Sequence, residues 1–334
     1  MPMLICPKNG EIIDTHTELQ NEFIKRIEKD GTEAALEWFL PIKNFMECSA
    51  PRPLRFAWSV DGSKSYLFEL SETEDFKDPI IRKTDKNSLS ITNLKIGQKY
   101  FWRVNGSDIY SFETMNNKFR FIEIGGVHNV RDVGGINVKQ GLLYRGADLQ
   151  NGYDISEDGK DTFVNELKIK TELNLRRDTP FPYPHSPAGE NVRYVRLIYR
   201  PYKEIFEDEH RRGIVEIMNF LSDESVYPVF LHCLGGADRT GMIALYIRAL
   251  LGECDEDIFI DYELTSLSNY AGGLEEGSTD TGSRSRNSKY VKEFFEMYAK
   301  YEGNNLAERT ESFLLECGVT RETIEKIRKI FAKQ

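Results

Sequence analysis

The sequence predicts a multidomain chain: an N-terminal all-β sandwich, then an α/β domain with a central, mainly parallel sheet flanked by helices. Three observations predict it. Between residues 51 and 114, apolar positions recur with period two in short runs rich in aromatic and β-branched side chains, separated by turn residues. Beyond residue 118, strand-like and helix-like segments alternate, the order of an α/β layer. Within that second part, a short apolar run at 227–233 passes through a glycine-bearing loop into a long apolar helix pattern at 240–251. The 334 residues, 40% of them hydrophobic, suffice for about two domains.

Residues 1–45 read as a helical lead. Leu19, Phe23, Ile24 and Ile27 share one helical face until Asp30-Gly31 breaks it, and a second helical stretch at 33–39 is expected to stop before Pro41. Residues 46–115 carry the sandwich. Its strands are marked by Leu54, Phe56 and Trp58, by Tyr66, Phe68 and Leu70, by Leu89 and Ile91, by Tyr100, Trp102 and Val104, and by Tyr110 and Phe112. Asp61-Gly62, Asp78-Pro79, Asn93, Gly97 and Asn105-Gly106 supply the turns between them. Residues 119–334 form the α/β domain. A helix is expected at 155–167, strands at 169–175 and 192–199, and a helix at 212–221 with Ile214, Val215, Ile217, Met218 and Leu221 on its apolar side.

Composition narrows the function classes. Five cysteines (Cys6, Cys48, Cys233, Cys254 and Cys317) include no CxxC pair and no zinc-type spacing, so no disulfide framework, metal or cofactor is expected. Free thiols suit a reducing, cytoplasmic setting. A net charge of -10 opposes nucleic acid or an anionic membrane as the main partner. No apolar run is long enough for a membrane span, and the first residues lack a signal-peptide pattern. An anionic substrate must therefore be captured locally.

The capture site is His232-Cys233-Leu234-Gly235-Gly236-Ala237-Asp238-Arg239-Thr240-Gly241, at the strand-to-helix junction. Gly235 and Gly236 allow successive backbone N–H groups from Leu234 to Arg239 to turn inward as an anion nest, and the following helix adds the positive end of its dipole. A tetrahedral oxyanion fits such a bowl. Arg239 supplies a planar fork for two phosphoryl oxygens and takes up charge as the transition state forms. Cys233, on the floor, sits in the same positive field and is expected to be a thiolate nucleophile at neutral pH. The Thr240 hydroxyl is expected to donate to the sulfur and ease its departure, and His232 to order the loop backbone.

These residues match the cysteine-phosphatase signature HCxxGxxRT/S, and the form HCxxGxDRTG resembles a bacterial tyrosine-phosphatase family that includes lipid phosphatases. The likeness extends in order along residues 119–334. His128-Asn129-Val130-Arg131-Asp132-Val133-Gly134-Gly135 looks like the family's entry motif, and Leu143-Tyr144-Arg145 to Leu149 like its LYRSxxL segment. Glu172-Leu173-Asn174-Leu175-Arg176 stands where xIDLR is usual, with Asn174 replacing the aspartate. Asp261-Tyr262 through Thr265 and Gly318 through Glu322 resemble the late elements. The resemblance implies protein-tyrosine or dual-specificity hydrolysis of a phosphomonoester, with Arg131, Asp132, Arg145 and Arg176 in support. The alternatives are an inositol-phosphate or phosphoinositide phosphatase and a catalytically silent phosphate-binding module. Separately, residues 94–104 resemble the end of a fibronectin type III domain, which implies a docking role toward a protein partner or surface glycan.

The leaving group needs a proton. Asp238 is the preferred general acid, as the resemblance also implies, and Asp208 and Glu207 are the alternatives because many cysteine phosphatases take the acid from an upstream loop. Alternatively, Asp238 would orient Arg239. Ala237 stands where lipid-active relatives commonly carry lysine, which favours phosphotyrosine or another monoester over inositol lipids. Arg176, Arg177, Arg200, Lys203, Arg211 and Arg212 are candidates to surround the mouth, Tyr199 and Tyr202 to stack on an aromatic leaving group, and residues 272–287 to form a lid or a linker.

Overall fold

Period-two alternation builds the first of two units. The computed structural model describes residues 1–43, 46–135, 137–150, 154–176, 184–269 and 283–333. Met1–Thr17 and Pro51–Ile122 cluster as one unit, Glu18–Ala50 and Glu123–Gln334 as the other. In the first unit, strands β1 (Leu4–Cys6), β3 (Leu54–Trp58) and β6 (Ser88–Ile91) form one sheet, in the order β1-β3-β6. Strands β2 (Glu11–Ile13), β4 (Tyr66–Ser71), β5 (Ile80–Thr84), β7 (Lys99–Val104) and β8 (Tyr110–Thr114) form the second, in the order β2-β8-β7-β4-β5. Pairing is antiparallel except for β2 on β8. The inward residues of both sheets share a core in which the rings of Phe56 and Trp102 meet edge-to-face at 5.2 Å. A short strand, β9 (Arg120–Phe121), ends the unit.

Two features differ from expectation. The lead is not one helical segment, because its first 17 residues provide β1 and β2 of the first unit while its helices cluster with the second. Strand β5 was not among the expected strands, because its residues do not alternate: Ile81, Arg82 and Lys83 are all exposed, a charged edge that discourages further pairing.

In the second unit, α1 (Glu18–Asp30) and α2 (Thr32–Lys43) pack as a hairpin through Phe23 and Phe39, whose rings lie 4.7 Å apart. The Thr32 hydroxyl donates to Glu263 Oε1 at 2.6 Å, and Lys43 Nζ donates to the carbonyls of Ser266, at 2.8 Å, and Ser268. Helix α2 runs through Pro41 where a stop was expected. The missing N–H removes one bond near the helix end, and the buried anchors of Lys43 offset it.

The sheet of this unit contains β10 (Arg131–Asp132), β11 (Leu143–Gly146), β12 (Thr171–Asn174), β13 (Arg193–Arg196) and β14 (Val229–His232), in the order β13-β12-β14-β11-β10. All these pairings are parallel except that of β10 with β11. Helices α3 (Glu157–Asp161), α4 (Asp208–Leu221), α5 (Asp238–Leu250), α6 (Asp255–Glu263), α7 (Lys289–Tyr298), α8 (Leu306–Glu316) and α9 (Arg321–Phe331) complete the unit. The helix expected at 155–167 is α3 followed by a π-helical turn, Thr162–Glu166. Helix α4 starts earlier than its apolar pattern because Asp208 and Glu209 suit the positive end of a helix. Every residue of β14 is buried, as a central parallel strand requires. Its register sets His232 level with Gly146 of β11 and Asn174 of β12, so three strands end together at the carboxyl edge of the sheet.

Candidate active site

Strand β14 ends at His232 and α5 begins at Asp238, which leaves Cys233 to Ala237 as the connecting loop. Each carbonyl of this loop is engaged. Cys233 O lies 2.9 Å from His232 Nδ1, Leu234 O accepts from Asp148 N at 2.9 Å, and Gly235 O accepts from Asn129 Nδ2 at 2.9 Å. Gly236 O accepts from Arg145 Nη2 at 2.8 Å, and Ala237 O from Gly241 N at 2.8 Å. By contrast, the backbone N–H groups of residues 234–240 have no acceptor among the described residues. Carbonyls drawn outward leave amides for an anion. Gly236 makes the turn with φ +65°, and a Cβ there would stand 2.3 Å from Gly146 O, so only glycine lets the loop lie against the end of β11.

Cys233 is buried, 4% exposed, and half-buried Arg239 has no ion pair or hydrogen bond among the described residues. Thr240 Oγ1 is buried without a hydrogen-bond partner among them, so the expected bond to the sulfur is not among those formed. Leu234 is exposed and Ala237 is buried as the N-cap of α5.

Buried charges hold the loop from behind. Asp261 pairs with Arg145 Nη1 at 2.5 Å and with Arg131 Nε at 3.2 Å. Burial opposes its charge, but the Arg145, Arg131 and Arg248 guanidinium groups outweigh burial and hold its carboxyl well below the usual carboxylate range. Arg131, desolvated and facing Arg145, is pushed down to about 10. Arg131 Nη1 also donates to Asn129 Oδ1 at 2.5 Å, which turns that amide so that its nitrogen reaches Gly235 O. Asp132 instead accepts from Gly134 N at 2.8 Å and Gly141 N at 2.6 Å, shaping the turn before β11. His232 Nε2 lies 2.9 Å from Glu172 Oε1, with both side chains fully buried.

Among the described residues, Asp238 makes no ion pair or hydrogen bond with Arg239 and is held by other groups. Its carboxylate accepts from Tyr202 Oη at 2.5 Å and pairs with Arg284 Nε at 3.3 Å, and Tyr202 Oη lies 2.6 Å from Tyr262 Oη. Asp208 and Glu207 lie at the start of α4, with Asp208 94% exposed and paired to Arg211 at 3.4 Å. Glu207, Glu209 and His210 come close enough there to share an ion, which spacing had not indicated.

Most arginines proposed for the mouth are used elsewhere. Arg176 is buried and donates to Asp148 Oδ2 at 2.6 Å and to Asn174 Oδ1, while Arg200 pairs with Glu204 at 3.2 Å and Arg212 with Glu216 at 2.7 Å. Lys203 is exposed. Tyr199 is fully buried, its hydroxyl 3.1 Å from that of Tyr246, so it is a core residue. Tyr202 instead stacks on exposed Tyr290, with ring centroids 6.0 Å apart. Arg177 and residues 272–282 of the suggested lid lie outside the described residues.

Sequence reasoning missed Glu172, Tyr262's hydroxyl and Arg284 as neighbours of the loop. Arg284 lies in a Gly/Ser/Thr-rich stretch without periodicity, so no signal marked it.

A buried cysteine directly after a central parallel strand, followed by a loop whose amides have no acceptor among the described residues, is the arrangement of a cysteine-dependent phosphatase. The chain belongs to the tyrosine phosphatase family, whose model matches residues 122–333. A relative from Oryza sativa subsp. japonica, "Inositol diphosphatase DSP1", is 29% identical over 105 residues. That match spans 30% of this chain and 46% of the relative, less than half its length. Among solved structures, the core catalytic domain of the PP-IP phosphatase SIW14 from S. cerevisiae aligns with TM-score 0.31 at 16% identity, covering 49% of this chain and 86% of that one. A second structure of the Siw14 catalytic core aligns with TM-score 0.27 at 20% identity, covering 39% and 75%. Among the described residues, no helix is long and apolar enough to cross a membrane.

Proposed function

We propose that the chain hydrolyses an aryl phosphomonoester of the phosphotyrosine type through a phosphocysteine on Cys233. The observation that carries this reading is the row of amides at residues 234–240 without acceptors, beside buried Cys233 and unpaired Arg239. The substrate phosphoryl group takes those amides and the Arg239 fork, which fixes phosphorus against sulfur. The Cys233 thiolate attacks phosphorus, the bond to the ester oxygen breaks, and Asp238 gives that oxygen its proton. In the second step water attacks phosphorus, Asp238 takes a water proton, and the sulfur–phosphorus bond breaks to release phosphate and restore the thiolate. The amides and Arg239 stabilise the charge of both transition states. No step requires a metal or cofactor.

The stacked Tyr202–Tyr290 pair, one bond from Asp238, supports an aromatic leaving group. A second reading, an inositol phosphate or diphosphate substrate, is favoured by the rice relative's name and by Arg284, which places a guanidinium beside Asp238 despite Ala237. The first unit, with two sheets around one core, is read as a fibronectin type III-like docking module, and the free cysteines favour a cytoplasmic setting.

Turnover of para-nitrophenyl phosphate in a chelator tests the chemistry. Cys233→Ser should reduce it at least about a thousandfold; full activity in that variant overturns the mechanism. A panel of phosphotyrosine, phosphoserine, phosphothreonine, phosphoinositides and inositol diphosphates decides the substrate. Phosphotyrosine should rank first, and a reversed order would select the inositol reading.

A further inference from the structure

We propose that Tyr202, with Tyr262 behind it, is a positioning residue that aims Asp238 at the leaving oxygen. This rests on the assignment of Asp238 as general acid. Asp238 occupies the first turn of α5, and its side chain would otherwise be free to sample rotamers at the open end of the cup. Two groups from other segments fix it. Arg284 lies against the carboxylate, with Nε 3.3 Å from Oδ1 and Nη2 3.4 Å from Oδ2. Tyr202 donates to Oδ1 at 2.5 Å. With its proton committed to Asp238, the Tyr202 oxygen is left to accept from Tyr262 Oη at 2.6 Å.

The donors in this chain are reliable. Burial, then the neighbouring tyrosine and the Asp238 charge, push the Tyr202 phenol far above its ordinary value; burial and Asp238 do the same to Tyr262. Both hydroxyls therefore keep their protons throughout the working range. The backbone at Tyr202 carries an independent mark. It is a non-glycine residue with φ +58°, directly after Pro201, a strained conformation for a bulky side chain. That conformation brings the ring onto Tyr290 and the hydroxyl onto Asp238.

Tyr202 on Oδ1, with Arg284 spanning both carboxylate oxygens, limits the directions in which Oδ2 can exchange a proton. The consequence is specific to leaving groups that need the proton. Phenyl phosphate releases a phenolate as basic as a tyrosine side chain, with pKa about 10, whereas para-nitrophenyl phosphate releases a far less basic one. A loss of aim therefore slows the first much more than the second.

The experiment measures kcat and KM on both esters for the full chain, Asp238→Asn, Tyr202→Phe, Tyr262→Phe and the Asp238→Asn/Tyr202→Phe pair, with a melt to confirm folding. Tyr202→Phe keeps the ring and removes only the donor. It should lower kcat/KM, which reports only the steps up to departure of the leaving group, about tenfold on phenyl phosphate and less than about twofold on para-nitrophenyl phosphate. Tyr262→Phe should act in the same direction and less, and Tyr202→Phe should add nothing once Asp238 is Asn. Equal losses of kcat/KM on both esters, or full additivity with Asp238→Asn, would show a merely structural tyrosine and overturn the proposal. If Asp238→Asn steepens the leaving-group dependence while Tyr202→Phe leaves it unchanged, only the positioning role falls. If Asp238→Asn itself lowers kcat/KM on both esters equally, the acid assignment fails and takes this inference with it.

Discussion

Asp261→Asn removes the counter-charge from two buried guanidinium groups without changing the size of the side chain. In the wild type the carboxylate is 3% exposed and lies 2.5 Å from Arg145 and 3.2 Å from Arg131. The variant keeps one carbonyl acceptor, turns an NH2 toward the other arginine, and leaves Arg131 and Arg145 repelling each other in the interior. Breaking a buried pair by removing one partner costs about 3–5 kcal/mol, and the retained acceptor places this case near 3 kcal/mol. For a unit of this size that is a fall in Tm of about 6–12 °C. Urea unfolding at constant m value is the direct assay. The sign with pH follows from the depressed carboxyl: its stabilisation is complete above the unfolded pKa of about 3.9 and is lost only as pH falls from there through the folded value. The gap between wild type and variant should thus be flat from pH 8 to 5 and close only in stronger acid. A gap under about 1 kcal/mol, or one that closes between pH 8 and 6, would refute the reasoning.

The other predictions concern the loop and the lead. Gly236→Ala puts a Cβ 2.3 Å from Gly146 O at a left-handed φ, so kcat/KM should fall at least about a hundredfold, with about 1–3 kcal/mol of stability lost in urea. Asn129→Asp keeps the acceptor for Arg131 and loses the donor to Gly235 O; inhibition by inorganic phosphate should weaken about tenfold, and unchanged inhibition would show that this carbonyl does not govern the cup. Deleting residues 1–115 should destabilise the phosphatase unit by at least about 3 kcal/mol, because Thr32, Lys43 and Glu47 leave with it. A chain that retains Glu18–Ala50 joined directly to Glu123 should keep turnover of para-nitrophenyl phosphate, and loss of activity there would contradict the division into two units.

How much was legible depends on how local each signal is. The strand-loop-helix from β14 to α5 could be read because buried strand, glycine turn and apolar helix follow one another directly. The first 45 residues misled for the opposite reason. Helical periodicity identified α1 and α2 but carries no information about which core receives their apolar faces, and three-residue strands such as β1 and β2 are too short to show a period. Arg176 shows the same limit for charge. From the sequence it is a cation near a phosphate site, but Asp148, from the segment after β11, neutralises it at 2.6 Å, a pairing that only the sheet register creates. The acid candidates separate by exposure, which spacing cannot supply: Asp208 sits on an open helix start, and Asp238 under Tyr202.

The carbonyl grips explain why so much of the domain is needed for so short a loop. A turn with several inward amides leaves its carbonyls seeking partners, and a buried carbonyl without one is costly. Here the partners come from separate places: Asn129 before β10, Arg145 in β11, Asp148 after it, and His232 at the end of β14. Arg145 and Asn129 are in turn set by Asp261 and Arg131, and His232 faces Glu172 of β12. For the phosphate binding proposed above, the loop is therefore already held by its carbonyls before the anion arrives, and binding need not supply the energy to order it. Remote polar substitutions should then weaken anion binding through the loop even where they touch no substrate. Exposed charges such as Arg212, outside that web, should leave the cup unaffected.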